Sequence, residues 1–370
     1  VAFLAVFLAH ANGGVGRGLS ENPVLTNLKN LLFGSGEKGV SFFFVLSGFL
    51  ITYLILYEIE VTGTVDVLAF YMRRLLRIWP LYYLVLFIGF VVVPPLKLSF
   101  GQVHGDPWYY LAFLGNFDLI RQETGRATEA MLTSITWSVA IEEQFYLAWP
   151  LLLFLVPRKL QKVVFPLIIL GSTLFRFAHS GDKAVLYFHT LSVIYNMGTG
   201  GLAAYLALKA PWFKRRLLDL GGRSIASIYG LCLAWALLVP PTVASYVPTR
   251  LGESFFFAFV VLEQSFCGNS PFRMESFKLA SSLGRVSYGL YMLHPLALGL
   301  TYEAFGGGER PTDVPAPERL LLGLVAFLAT VALSALSYRL YEAPFLRLKR
   351  RFAKIATSGA DGGTGAAAGS

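Results

Sequence analysis

Ten apolar stretches recur along this chain, and they constrain its fold more than any other feature. They run over about 1–12, 39–57, 78–95, 135–156, 163–179, 186–208, 225–243, 251–266, 283–302 and 319–340. A helix needs roughly 20 apolar residues to cross a bilayer, and most of the stretches approach that length. The expected architecture is an all-α, polytopic transmembrane helix bundle of about ten spans. Composition agrees: 55% of residues are hydrophobic, 14% are charged, and the mean hydropathy is +0.59. A soluble domain carries about 25% charged residues, so a water-soluble enzyme, a disordered chain and a coiled coil are excluded. The first stretch is too short to span and starts abruptly at Val1, so the start of that helix is expected to precede this sequence. Residues 1–356 read as one transmembrane domain, and the small-residue tail 357–370 as disordered. Cys232 and Cys267 show neither C-x-x-C nor Cys/His spacing, which argues against a disulfide framework or a structural zinc.

The net charge of +9 has a topological reading. Twenty of the 31 Lys and Arg residues fall on one set of connections: Arg73 to Arg77, Arg158 to Lys162, Lys209 to Arg223, Arg273 to Arg285, and Arg339 to Lys354. The positive-inside rule then places the C-terminus and the 58–77 connection in the cytoplasm. Basic loops of this kind point to a bilayer rather than to nucleic acid. His10 is accordingly expected well inside the membrane, on a helix running outward. No internal repeat with matched broken helices stands out, which weakens a transporter of inverted-repeat type.

Ionisable residues inside spans are costly and mark candidate function. His10, in VAFLAVFLAH, reads either as a base able to take a hydroxyl proton or as a buried histidine bonded to a backbone carbonyl. In FYMRRLLRIW, Arg73, Arg74 and Arg77 fall within an arc of about 100° on one helix face. Three guanidinium forks suit a polyphosphate; they also suit a headgroup anchor. In TWSVAIEEQFYLAW, Ser138, Glu142, Phe145/Tyr146 and Trp149 share a face, and Glu142 lies roughly 12 Å deep. A carboxylate there must be protonated, paired or facing water. Glu143 points about 100° away. His294 precedes Pro295, which frees a backbone carbonyl to which the imidazole can donate. Ser47 and Gly48 read as packing residues rather than as a nucleophile site.

Five pieces in order resemble the acyltransferase 3 family, membrane enzymes that O-acylate bacterial surface glycans: FLAH ending at His10, GVSFFFVLSGFLIT (39–52), FYMRRLLRIWPLYY (70–83), TWSVAIEEQFYLAWP (136–150) and LGRVSYGLYMLHP (283–295). The closing YRLYEAPFLRL (338–348) also looks like the family's final helix end. The family's R-x-x-R falls on Arg74 and Arg77, and its W-S-x-x-x-E on Trp137, Ser138 and Glu142. Its first-helix partner cation, eleven positions before the histidine, would precede Val1. The resemblance implies a bacterial inner-membrane, multi-pass protein with acyl-CoA, usually acetyl-CoA, as donor substrate. It implies a carbohydrate hydroxyl as acceptor and no permanently bound cofactor. It also implies that the chain acts alone or beside a separate partner, since no SGNH-type domain follows Arg351.

The expected site therefore has His10 as base, or as nucleophile through an acyl-imidazole, and Glu142 orienting His10 or binding acceptor. Arg73, Arg74 and Arg77 hold the donor phosphates. Trp137, Ser138, Tyr146 and His294 are the candidate substrate-binding residues. The rival reading is a proton-coupled transporter or flippase with His10, Glu142 and His294 as a relay. The acceptor, the acyl length and the oligomeric state are not legible.

Overall fold

The computed structural model describes residues 1–12, 27–100 except 29 and 32, 105–122, 131–238, 243–309 and 311–352 except 312. The 357–370 tail lies outside them. Every expected apolar stretch is a helix: α1 Ala2–Ala11, α2 Gly36–Thr62, α3 Val67–Phe87, α4 Thr136–Leu155, α5 Gln161–Ala178, α6 Thr190–Lys209, α7 Gly222–Leu238, α8 Val243–Phe266, α9 Ser287–Phe305 and α10 Ala316–Ser337. Among the described residues there is no strand. The polytopic all-α class holds, but the count of ten spans is not reached. By length and apolarity six helices can cross a membrane, or seven if Pro211–Leu218 and α7, bent by 93°, act as one.

The shortfall has physical causes. α8 carries Arg250, Glu253 and Glu263, and Arg250 is paired to Glu37 at the start of α2 and to Glu253 at 3.1 Å. α9 carries Tyr288, Tyr291, His294 and Tyr302, yet most of its length is buried by other helices. A helix surrounded by protein need not be as apolar as one that faces lipid.

The bundle is built around α2. Its tightest neighbour is α6. A Cβ on Gly48 would stand 2.2 Å from the Met197 carbonyl, and one on Gly200 would stand 2.0 Å from the Val45 carbonyl. Two backbones in direct contact require glycine at the crossing. Gly200→Ala is therefore expected to cost more than the roughly 1–3 kcal/mol typical of an overpacked core. The measurement is the melting temperature of the purified variant in detergent. On its other flank α2 receives α1: a Cβ on Gly39 would stand 2.6 Å from the Ala2 carbonyl, and one on Gly36 would stand 3.0 Å from Ala9 Cβ. This pairing runs antiparallel and sets His10, in the last turn of α1, level with the first turn of α2. His10 is thus at the end of α1.

The α2–α3 turn is fixed locally. Gly63 ends α2 at φ 82°, a left-handed conformation that glycine adopts without strain. Asp66 caps α3 by accepting from the Ala69 amide at 2.9 Å. Helix α4 is held near its middle by Gln144. Its Nε2 donates to the Phe113 carbonyl at 2.7 Å and to Asn116 Oδ1 at 2.9 Å, on a pair of short helices, Pro107–Leu111 and Gly115–Arg121.

Candidate functional site

α2, α3, α4 and α9 enclose a cavity of about 180 Å³. Its polar lining consists of Ser47, Arg74, Arg77, Ser138, Glu142, Tyr146, Ser287, Tyr288 and Tyr291. Arg77 is exposed and marks one mouth. Arg74, one turn nearer the start of α3 and less exposed, lies over the rings of Phe70 and Tyr146, at 5.5 and 5.7 Å from their centroids. Among the described residues neither guanidinium has a hydrogen-bond partner, and Nε of Arg74 is buried without one. Unspent, positively charged donors at a cavity mouth suit an anionic ligand.

Arg73 does not belong to this set. It pairs with Glu58 at 3.1 Å and donates to the Phe352 carbonyl at 2.8 Å. The 100° arc put three arginines on one face, but the neighbouring α2 takes one of them. Arg73→Ala is expected to destabilise the fold by about 1–3 kcal/mol, because the largely buried Glu58 loses its charge partner. The affinity for a donor at Arg74 and Arg77 should stay unchanged, as a binding titration would read. Lys349, outside the cavity lining, adds a further cation near these arginines. It ends the helix Ala343–Lys349, which packs on α3, and it lies within electrostatic reach of Arg77, Arg74 and Arg73. Nothing in the local sequence links residue 349 to residue 74; only the tertiary fold does.

Above the arginines stands Glu142. Ser47 donates to its Oε1 at 2.7 Å, and the Tyr146 hydroxyl donates to its Oε2 at 3.1 Å. Tyr146 also contacts the Ser47 hydroxyl at 3.0 Å. Ser47, read as a packing residue, is a cavity residue; Gly48 does pack. Glu143 faces away as expected, accepting from Trp79 Nε1 at 2.9 Å. One turn further along α4, the Ser138 and Tyr291 hydroxyls meet at 2.7 Å. Trp137 is not in the lining. It is buried against Phe44, Tyr187 and Phe188, with ring centroids at 6.0, 5.1 and 5.2 Å. It is a packing residue, because its neighbour Ser138 takes the cavity-facing position.

The two histidines meet each other rather than the carboxylate. His10 Nδ1 lies 2.7 Å from His294 Nε2. His294 Nδ1 lies 2.6 Å from the Tyr291 carbonyl. Pro295 has no N–H for that carbonyl, four residues earlier, and the imidazole takes the place the proline leaves open. Neither histidine lines the cavity. His294 is fully buried. Both connect to the cavity through Tyr291, whose hydroxyl faces it and whose carbonyl holds His294. Glu142 does not touch His10. Tyr288 and Tyr291, absent from the expected site, precede His294 by six and three residues, so helical spacing places Tyr291 on the histidine's face.

The polar groups thus form one ladder: Arg77 and Arg74, then Tyr146, Glu142 and Ser47, then Ser138 and Tyr291, then His294 and His10. One end presents phosphate-type donors and the other a partly accessible imidazole. Comparison with known proteins bears on the family. A family model described as an acyltransferase domain matches residues 1–339. The O-acetyltransferase OatA of Staphylococcus aureus strain NCTC 8325 is 27% identical over 336 residues, covering 87% of this chain and 54% of the relative. A putative O-acetyltransferase of S. aureus strain COL is 25% identical over 361 residues, with the same coverages of 87% and 54%. The chain spans about half the length of these curated relatives. No solved structure matches it.

Proposed function

The chain belongs to the acyltransferase 3 family, and from that premise we propose that it transfers an acetyl group from cytoplasmic acetyl-CoA to a hydroxyl of an extracytoplasmic carbohydrate. The observation that carries the proposal is the ladder, with free guanidinium groups at one end and an imidazole at the other. In the proposed orientation the arginine end is cytoplasmic and the protein sits in a bacterial inner membrane with its C-terminus inside. That end carries most of the basic connections.

Arg74, Arg77 and Lys349 bind the phosphates of the donor. The pantetheine arm runs along the cavity past Tyr146 and Glu142. A cavity of about 180 Å³ holds roughly six waters' worth of liquid. That is too little for the nucleotide, which stays outside, and admits the arm only as the walls part. The thioester carbonyl comes to the Ser138 and Tyr291 hydroxyls, which can donate to the oxygen as negative charge develops. The acceptor approaches from the histidine end. His10 removes its hydroxyl proton as the oxygen attacks, and returns the proton to the departing CoA sulfur. General-base help of this kind is worth about 10²–10⁴ in rate. Holding both substrates in line supplies more.

The test uses isolated membranes of cells expressing the chain, which hold their own acceptor, supplied with labelled acetyl-CoA. Label should enter the glycan fraction. Transport of unmodified substrate driven by a proton gradient, with no label transferred, would support the transporter reading instead. Ping-pong kinetics would indicate an acetyl-His10 intermediate, and an obligatory ternary complex direct transfer.

A further inference from the structure

We propose that His294 is a positioning residue that fixes the tautomer and ring orientation of His10. The inference rests on the reading of His10 as the transfer base and deepens it.

The argument is a count of protons along three groups. A carbonyl oxygen only accepts, so the 2.6 Å contact between His294 Nδ1 and the Tyr291 carbonyl places a hydrogen on Nδ1. His294 is buried at 0% exposure. Phe3 and Phe7 pack edge-on against its ring, at 5.8 and 6.3 Å. Among the described residues no carboxylate contacts either imidazole. An unpaired cation in such surroundings is costly, so His294 is neutral and its Nε2 carries a lone pair. Across the 2.7 Å contact, His10 Nδ1 must then be the donor. Neutral His10 with hydrogen on Nδ1 has its lone pair on Nε2, the nitrogen not engaged by His294.

The chain of donors thus runs from His10 to His294 to the Tyr291 carbonyl, and it ends where Pro295 supplies no amide. This is the logic by which one ring nitrogen's hydrogen bond sets the role of the other, with a second imidazole as the orienting group. The rings are nearly parallel, with centroids 5.0 Å apart and 8° between planes, which holds His10 in one orientation. In the transfer, His10 Nε2 takes the acceptor's hydroxyl proton, the oxygen bonds to the acyl carbon, and the carbon–sulfur bond breaks. The CoA thiolate then takes the proton from Nε2, so His10 ends neutral. Nδ1–H stays bonded to His294 Nε2 throughout.

Two variants test the role. His294→Leu removes the acceptor from His10 and is expected to lower kcat about 10–100-fold, with the acetyl-CoA KM unchanged. His294→Gln keeps an oxygen able to accept from His10 and an amide able to donate to the Tyr291 carbonyl, so it should recover much of that loss. In 15N-histidine-labelled wild-type protein, the His10 Nε2 signal should be of the unprotonated type. That measurement needs neither activity nor a folded variant. The proposal is overturned if His294→Leu keeps wild-type kcat, if His294→Gln is as impaired as His294→Leu at equal melting temperature, or if His10 Nε2 carries the hydrogen. Transfer that persists in His10→Ala would instead remove the base reading beneath the proposal. An inactive His10→Ala beside a fully active His294→Leu overturns the positioning role alone.

Discussion

His10→Ala is expected to eliminate acetyl transfer while the protein still folds, inserts and binds acetyl-CoA. The side chain stands in the last turn of α1, partly accessible, and among the described residues its polar partner is His294. Truncation therefore leaves little of the bundle disturbed. It removes the one lone pair on the ladder that is placed to take a proton. The loss should be at least the 10²–10⁴ that a general base contributes. Incorporation of labelled acetyl groups in isolated membranes reads it, with acetyl-CoA binding measured in parallel. Near-normal incorporation at normal abundance would refute the assignment.

The double variant Arg74→Ala with Arg77→Ala is expected to raise the acetyl-CoA KM by at least about tenfold per arginine. Hydrogen bonds to charged groups contribute roughly 1.5–3 kcal/mol each. The two guanidinium groups enter no ion pair or hydrogen bond among the described residues, but Arg74 lies over Phe70 and Tyr146 and both are charge neighbours of Glu142, so the melting temperature is read beside KM. Arg73→Ala makes the control, since Arg73 is tied to Glu58 and to the Phe352 carbonyl. If both sets of variants act only on abundance, the arginines are membrane anchors and not a donor site. If the double variant alone changes KM, the cavity mouth is the donor entrance.

Much of this architecture is legible in the sequence, because lipid imposes a simple rule on segment length and polarity. The positions of all ten helices follow from it. The number of membrane crossings does not, because a helix such as α9 is surrounded by protein and escapes the rule. Helical periodicity correctly joined Ser138, Glu142 and Tyr146. The Pro295 argument correctly foresaw a carbonyl for His294. Periodicity failed where a neighbouring helix decides. Arg73 shares a face with Arg74 and Arg77, yet Glu58 on α2 captures it. Trp137 sits beside Ser138 but turns into a packed aromatic cluster. Lys349 and the His10–His294 contact join residues far apart in the chain, and a single sequence carries no record of such distances.

The glycine crossing of α2 and α6 has a consequence for biosynthesis. About 150 residues separate the end of α2 from the end of α6. A ribosome adding 5–20 residues per second takes roughly 7–30 s to make them. For that interval α2 resides in the bilayer without its closest neighbour, carrying Glu58 near its C-terminal end. The next helix to emerge brings Arg73, which neutralises that carboxylate. The ion pair then serves the nascent hairpin before it serves the finished bundle, and an insertase would be handed a pre-paired unit rather than a lone charged helix.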